Sequence, residues 1–208
     1  MDYLRDPQAI YDRSFSIIRA EAALARLPAD IEAIAIRLMH ASGMTDLAAD
    51  LRFDPRVGEA VRGALNAGGT VFADCEMAKA AIIARYLPAA AGIVCTLNDP
   101  RVPELAKAHG TTRSAAAVHL WQPKLEGSVV VIGNAPTALF SLLEALDAGA
   151  PKPAAIIAMP VGFVGAAESK AELAANPRGV PFVTLLGRRG GSAMAGAALN
   201  AILADINP

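Results

Sequence analysis

Apolar residues recur at helical spacing as far as Leu65 and then gather into short, continuous runs. Residues 7–25 predict a helix, with Ile10, Phe15, Ile17, Ile18 and Leu24 on overlapping faces. Pro28 and Asp30 open a second helix with the stripe Ile31, Ile34, Leu38 and Met39, and Gly43 stands at its end. A third helix after Pro55 carries Val57, Val61 and Leu65 and stops at Gly68-Gly69. From there the pattern predicts five strands, over residues 70–73, 92–97, 128–133, 154–159 and 180–186. Helical stretches follow at 76–86, 114–120, 136–146, 168–174 and 192–202. These strands are apolar on both faces, which is the signature of a parallel sheet covered on both sides. The expected fold is a single α/β domain over residues 1–208. It has three α/β/α layers, a mostly parallel five-stranded sheet and a helical N-terminal segment.

Composition sharpens this picture. The chain is 54% apolar but only 5% aromatic, so Ala, Val, Ile and Leu must fill the core. With 19 basic and 20 acidic residues the net charge is −1, which argues against a main role in neutralising nucleic-acid phosphates or coating an anionic membrane. Cys75 and Cys95 form no CxxC pair and have no His at ligand spacing, so zinc is unsupported and two reduced thiols are expected. The first residues lack the apolar stretch of a signal peptide and no run is long enough to span a membrane. A cytoplasmic protein is therefore expected.

In open α/β sheets ligands bind beyond the carboxyl ends of the strands. Three predicted strands leave there through unusual segments: Gly133-Asn134-Ala135-Pro136-Thr137, the run from Met159-Pro160-Val161-Gly162-Phe163 to Lys170, and Gly187-Arg188-Arg189-Gly190-Gly191-Ser192. Glycines let backbone approach a ligand, and the helix that follows each loop offers free N–H groups to an anion, although such glycines also serve plain tight turns. There is no GxxxxGK[ST] motif and no GxGxxG spacing after the first strand, so nucleotide binding is a weak reading. The loops suit carboxylates or a flat polar ligand.

Of the three histidines, His109 precedes Gly110 as a helix C-cap would, and His119 stands before Trp121 as a surface or packing residue. His40 ends the apolar helix and is followed by Ala41-Ser42-Gly43. A lone histidine at a helix end is more often a cap than a catalyst. There is no G-x-S-x-G elbow, and an isolated imidazole fits a reaction in which one proton moves and nothing is attacked.

Seven segments together resemble the precorrin-8X methylmutase family. They are Ile10-Tyr11-Asp12-Arg13-Ser14-Phe15, Met39-His40-Ala41-Ser42-Gly43, Asp74-Cys75-Glu76-Met77, Thr111-Thr112-Arg113-Ser114, Gly133-Asn134-Ala135-Pro136-Thr137, the run Met159 to Lys170, and Gly190-Gly191-Ser192-Ala193. The resemblance implies a homodimer that moves a methyl group from C-11 to C-12 of a polycarboxylated corrinoid, with no S-adenosylmethionine and no other cofactor. It implies that His40 handles the proton near ring C, that Ser14 contacts the substrate, and that Arg113 orients the ring. Arg13, Thr112, Ser114, Asn134, Gly162, Phe163, Gly190, Gly191 and Ser192 are the further expected substrate contacts, with no metal ligands among them. A corrinoid-binding module without catalysis would use the same loops, and only His40 separates the two readings.

Overall fold

The computed structural model describes residues 1 and 3–204. Helix α1 (Pro7–Glu21) starts at Asp6, whose carboxylate accepts from the Ala9 N–H, with Pro7 at the first helical position. Helix α2 (Ala29–Ser42) stops where Gly43 takes a left-handed conformation, φ 71°, and returns its N–H to the Met39 carbonyl. Then come β1 (Leu51–Phe53), α3 (Val57–Asn66), β2 (Thr70–Ala73), α4 (Glu76–Ala81), β3 (Gly92–Cys95), α5 (Val102–Ala108) and α6 (Arg113–Val118). The chain continues through β4 (Val129–Ile132), α7 (Pro136–Asp147), β5 (Ala155–Ala158), α8 (Ala166–Ala175), β6 (Phe182–Leu185) and α9 (Ser192–Ala204).

The sheet runs β1-β6-β5-β4-β2-β3, parallel throughout except for β1, which pairs antiparallel with β6. Register aligns Phe72, Val130, Ile156 and Phe182 in one row across four strands, and this row faces Trp121 and the apolar sides of α7 and α8. The alternate row, Val131, Ile157 and Val183, faces α2, α3 and α9. Both faces of β4, β5 and β6 are therefore buried, which is why their sequences show no polar alternation. The three-layer, mostly parallel architecture matches the expectation.

Five details differ from it. The sheet has six strands, because Leu51-Arg52-Phe53 adds an antiparallel edge beside β6. The strand at 92–95 is an outer edge with Gly92 and Val94 exposed, so its apolar run is half-covered and not buried. The first helix ends at Glu21, well before residue 25, and the stretch 76–86 is α4 followed by a separate turn of 3-10 helix. An additional helix, α5, precedes His109, which caps it as its position suggested. Cys75 is buried, Cys95 is half-buried, and both are free thiols.

Candidate active site

Tyr11, Ser14 and Phe15 lie three and four residues apart on one face of α1, and Arg37 and His40 lie three apart on α2. Packing α1 on α2 brings the two faces together. Ser14 Oγ sits 2.9 Å from His40 Nδ1. Tyr11 stacks on the imidazole at 5.1 Å between ring centroids, and Phe15 meets it edge-on at 5.4 Å. The Arg37 guanidinium lies 5.2 Å from the Phe15 ring centre and 5.8 Å from that of Tyr11. His40 thus has its Nδ1 edge fixed by a hydroxyl and its faces bounded by aromatic rings, while it remains partly open to solvent. A cleft of about 350 Å³ opens beside it, lined by Gln8, Tyr11, Asp12, Phe15, Arg37, Arg85 and Tyr86.

The three strand-exit loops gather at the carboxyl edge of the sheet. Val161 N–H reaches the Asn134 carbonyl at 3.5 Å, Gly191 N–H donates to the Met159 carbonyl at 2.8 Å, and Gly162 N–H to the Arg188 carbonyl at 3.2 Å. Gly190 is required here, since a Cβ would fall 2.3 Å from the Met159 carbonyl oxygen. Arg189 leaves this loop and binds Asp46 at 2.8 Å and Asp50 at 2.6 Å, in the segment that follows α2. The glycine loop is in this way tied to the chain just beyond His40. Arg188 lies over the exposed Phe163 ring at 5.2 Å.

A separate cluster forms at the start of α6. Thr112 caps it by accepting from the Ala115 N–H, and its hydroxyl meets that of Thr137 at 2.8 Å, beside the start of α7. Arg113 donates to the Leu97 carbonyl and to Asn98 Oδ1, both at 3.1 Å, leaving the rest of its guanidinium on the exposed surface. Ser114 is half-buried and Arg13 is exposed. Among the described residues no hydrogen bond joins this cluster to the His40–Ser14 pair.

One expectation about these loops changes. The backbone N–H groups of Gly133, Asn134 and Ala135 are not free for an anion, because the buried Asp74 carboxylate accepts all three at 2.8–3.0 Å. Burial pushes the Asp74 carboxyl above its ordinary range, and the three N–H donors oppose that shift. The Arg189 guanidinium, too, is already paired with carboxylates.

A family model described as precorrin-8X methylmutase matches residues 9–205. The chain belongs to the precorrin-8X methylmutase family. The precorrin-8X methylmutase of Pseudomonas aeruginosa is 60% identical over 205 residues, covering 99% of each chain. That of a Sinorhizobium species is 55% identical over 97% of this chain and 96% of its own. The cobalt-precorrin-8 methylmutase of Priestia megaterium is 38% identical over 96% of this chain and 89% of its own. Among solved structures, the precorrin-8X methylmutase of Thermus thermophilus superposes with a TM-score of 0.83 at 34% identity, covering 95% of each chain.

For a precorrin-8X methylmutase fold, the sequence motifs pointed to Ser14 and His40 but passed over the residues around them. Arg37, Tyr11, Arg85 and Tyr86 line the cleft. Arg37 precedes His40 by three positions, so helical spacing alone carried its signal, whereas Tyr11 lies in the Ile10–Phe15 segment, three positions before Ser14, without a role assigned to it there.

Proposed function

We propose that this chain catalyses the shift of a methyl group from C-11 to C-12 of precorrin-8X, an isomerisation in cobalamin biosynthesis, with His40 as the proton carrier. The observation behind this is the His40–Ser14 pair in its aromatic collar, within a chain of this family. A methyl migration along a conjugated ring has no nucleophile and no leaving group. The protein must hold the reactive tautomer and lend a proton where charge builds, then take it back. A hydroxyl can donate to a neutral Nδ1 or accept from a protonated one, so Ser14 can hold the ring in one orientation through both proton states. Arg37 and Arg85 supply planar, permanently charged donors for the carboxylate arms of the macrocycle. Arg113, Asn134, Phe163 and the Gly190-Gly191-Ser192 turn provide the remaining contacts in this reading, together with Arg13, Thr112, Ser114 and Gly162.

The metal-free substrate is favoured over the cobalt form. The relatives at 60% and 55% identity carry the precorrin-8X name, and the cobalt-precorrin-8 relatives fall to 38% and below. The enzyme works as a homodimer in the cytoplasm. A corrin plate with its carboxylate arms exceeds a 350 Å³ cleft, and α1 leaves Ile10, Tyr11 and Ile17 exposed beside it, so a second copy is the natural cover. No helix among the described residues is long and apolar enough to cross a membrane.

The test is His40→Ala. Turnover of precorrin-8X should drop by about 100-fold or more, the usual contribution of a positioned acid–base group. Affinity for the corrinoid product, followed by its absorption, should stay within a few-fold. A folded His40→Ala protein that converts precorrin-8X at a near-native rate overturns the assignment.

A further inference from the structure

The switch point of this sheet lies between β2 and β4, since successive parallel strands run outward from β2 in one direction to β3 and in the other through β4, β5 and β6. In open parallel sheets that crevice is where an anionic ligand ordinarily meets the backbone N–H groups at a helix start. Here the first residue beyond β2 fills it. Asp74 is 2% exposed, and its carboxylate spans the gap to β4: Oδ1 accepts from Gly133 N–H at 2.9 Å, and Oδ2 accepts from Asn134 at 3.0 Å and Ala135 at 2.8 Å. The next residue, Cys75, is also buried, and its Sγ lies 3.3 Å from Ser192 Oγ at the start of α9. Two consecutive side chains at the end of β2 therefore touch two of the three strand-exit loops.

We infer that Asp74 is a positioning residue for corrinoid binding: it occupies the anion position of the switch-point crevice permanently, consumes the N–H groups of the 133–135 turn, and so leaves that turn's side chains, Asn134 first, as the groups offered to the substrate. The inference rests on the proposal that Asn134 contacts the corrinoid. Three N–H donors converging on one carboxylate fix the backbone of three successive residues, so the turn is held before any ligand arrives, and preorganisation of that kind is felt as affinity. His40 and Ser14 sit on α1 and α2, which make no hydrogen bond to residues 133–135 among the described residues, so the chemical step is separable from this effect.

Asp74→Asn keeps the shape but turns an amide donor toward N–H donors. Asp74→Ala removes the carboxylate and leaves room for a small one. In Asp74→Asn, affinity for the corrinoid product should fall at least tenfold and KM should rise in step, with kcat within about threefold of the parent. In Asp74→Ala, added formate should restore part of the lost affinity, whereas chloride at equal ionic strength should not. Native affinity in Asp74→Asn, or a fall in kcat at unchanged KM, overturns the inference. So does an Asp74→Asn protein that fails to fold, because the residue then serves the whole fold and not the turn. If Asp74→Ala alone is unfolded, the Asn variant decides. Asn134→Ala run in parallel separates the two ideas. Unchanged affinity there removes Asn134 from the substrate site, while weakened affinity there with native affinity in Asp74→Asn refutes only the role of Asp74.

Discussion

Lys170 on α8 has 0% exposure and donates from Nζ to the Arg189 carbonyl at 2.5 Å. Burial depresses its ammonium from an ordinary 10.5 to about 8, although nearby Asp50 favours the charge and Arg189 opposes it. The unfolded chain thus holds this proton up to about pH 10.5 and the folded chain only to about pH 8, so between those values the unfolded state binds more protons and the contribution of Lys170 to stability rises with pH. Cys95 works in the opposite sense. Burial lifts its thiol from 9.0 to about 11, so the folded state keeps that proton longer and stability falls over that interval. Urea denaturation of the parent and Lys170→Met should therefore give a stability difference that moves in favour of the parent as pH rises from 8 toward 10.5. A difference that stays flat refutes the shift. A sequence does not reveal this lysine, because lysines almost always lie in solvent. His40 and Ser14 were legible through their motifs, yet their 2.9 Å pairing depends on how two separate helices dock.

At the scale of elements, α6 is short, and its first turn depends on Thr112. Thr112→Ala removes the acceptor for Ala115 N–H and the hydroxyl partner of Thr137, and should cost about 1 kcal/mol, or roughly 2–4 °C in Tm. Thr112→Ser should keep most of that stability. Thermal melts compare the three proteins, and an unchanged Tm in Thr112→Ala would show that the cap contributes nothing. The parallel strands were readable because burial on both faces leaves continuous apolar runs. The edge strand β1 was not, since Leu51-Arg52-Phe53 is too short to display a period. It becomes a strand because β6 offers an open edge, a partner more than a hundred residues away in sequence. At the other edge the apolar content of Ile93, Val94 and Cys95 resembled a buried strand, and only its place in the strand order exposes Val94.

For the whole molecule, the strand order sets the carboxyl-edge loops of β4, β5 and β6 side by side, and Arg189 links the last of them to the segment after α2. That linkage joins the segment after the N-terminal helical pair to the sheet edge, while the cleft beside His40 is lined only by residues of the first half of the chain. The helical pair leaves apolar side chains on α1 uncovered. Light scattering should report a dimer, with or without bound product, and Ile17→Asp on α1 should weaken it. A monomer that retains full activity at nanomolar concentration would show that one copy suffices. Periodicity alone does not distinguish a dimer from a monomer, because an apolar face that meets a second copy and one that meets the core obey the same spacing.

Helix α9 has a consequence for how the chain is made. It is the last element among the described residues, yet it packs on α2, the second. Gly196 lies so close to α4 that a Cβ would come within 2.5 Å of Ala81 Cβ, and Asn200 accepts from Ile83 N–H and donates to the Ala81 carbonyl. During synthesis, Ile31, Ile34 and Leu38 leave the ribosome long before the residues that will cover them. Most of the protein must therefore be translated with that apolar stripe unsealed. Until the thirteen residues of α9 emerge, the apolar face of α2 that they cover has no partner, so early folding of the N-terminal helices buries less apolar surface than the finished fold does.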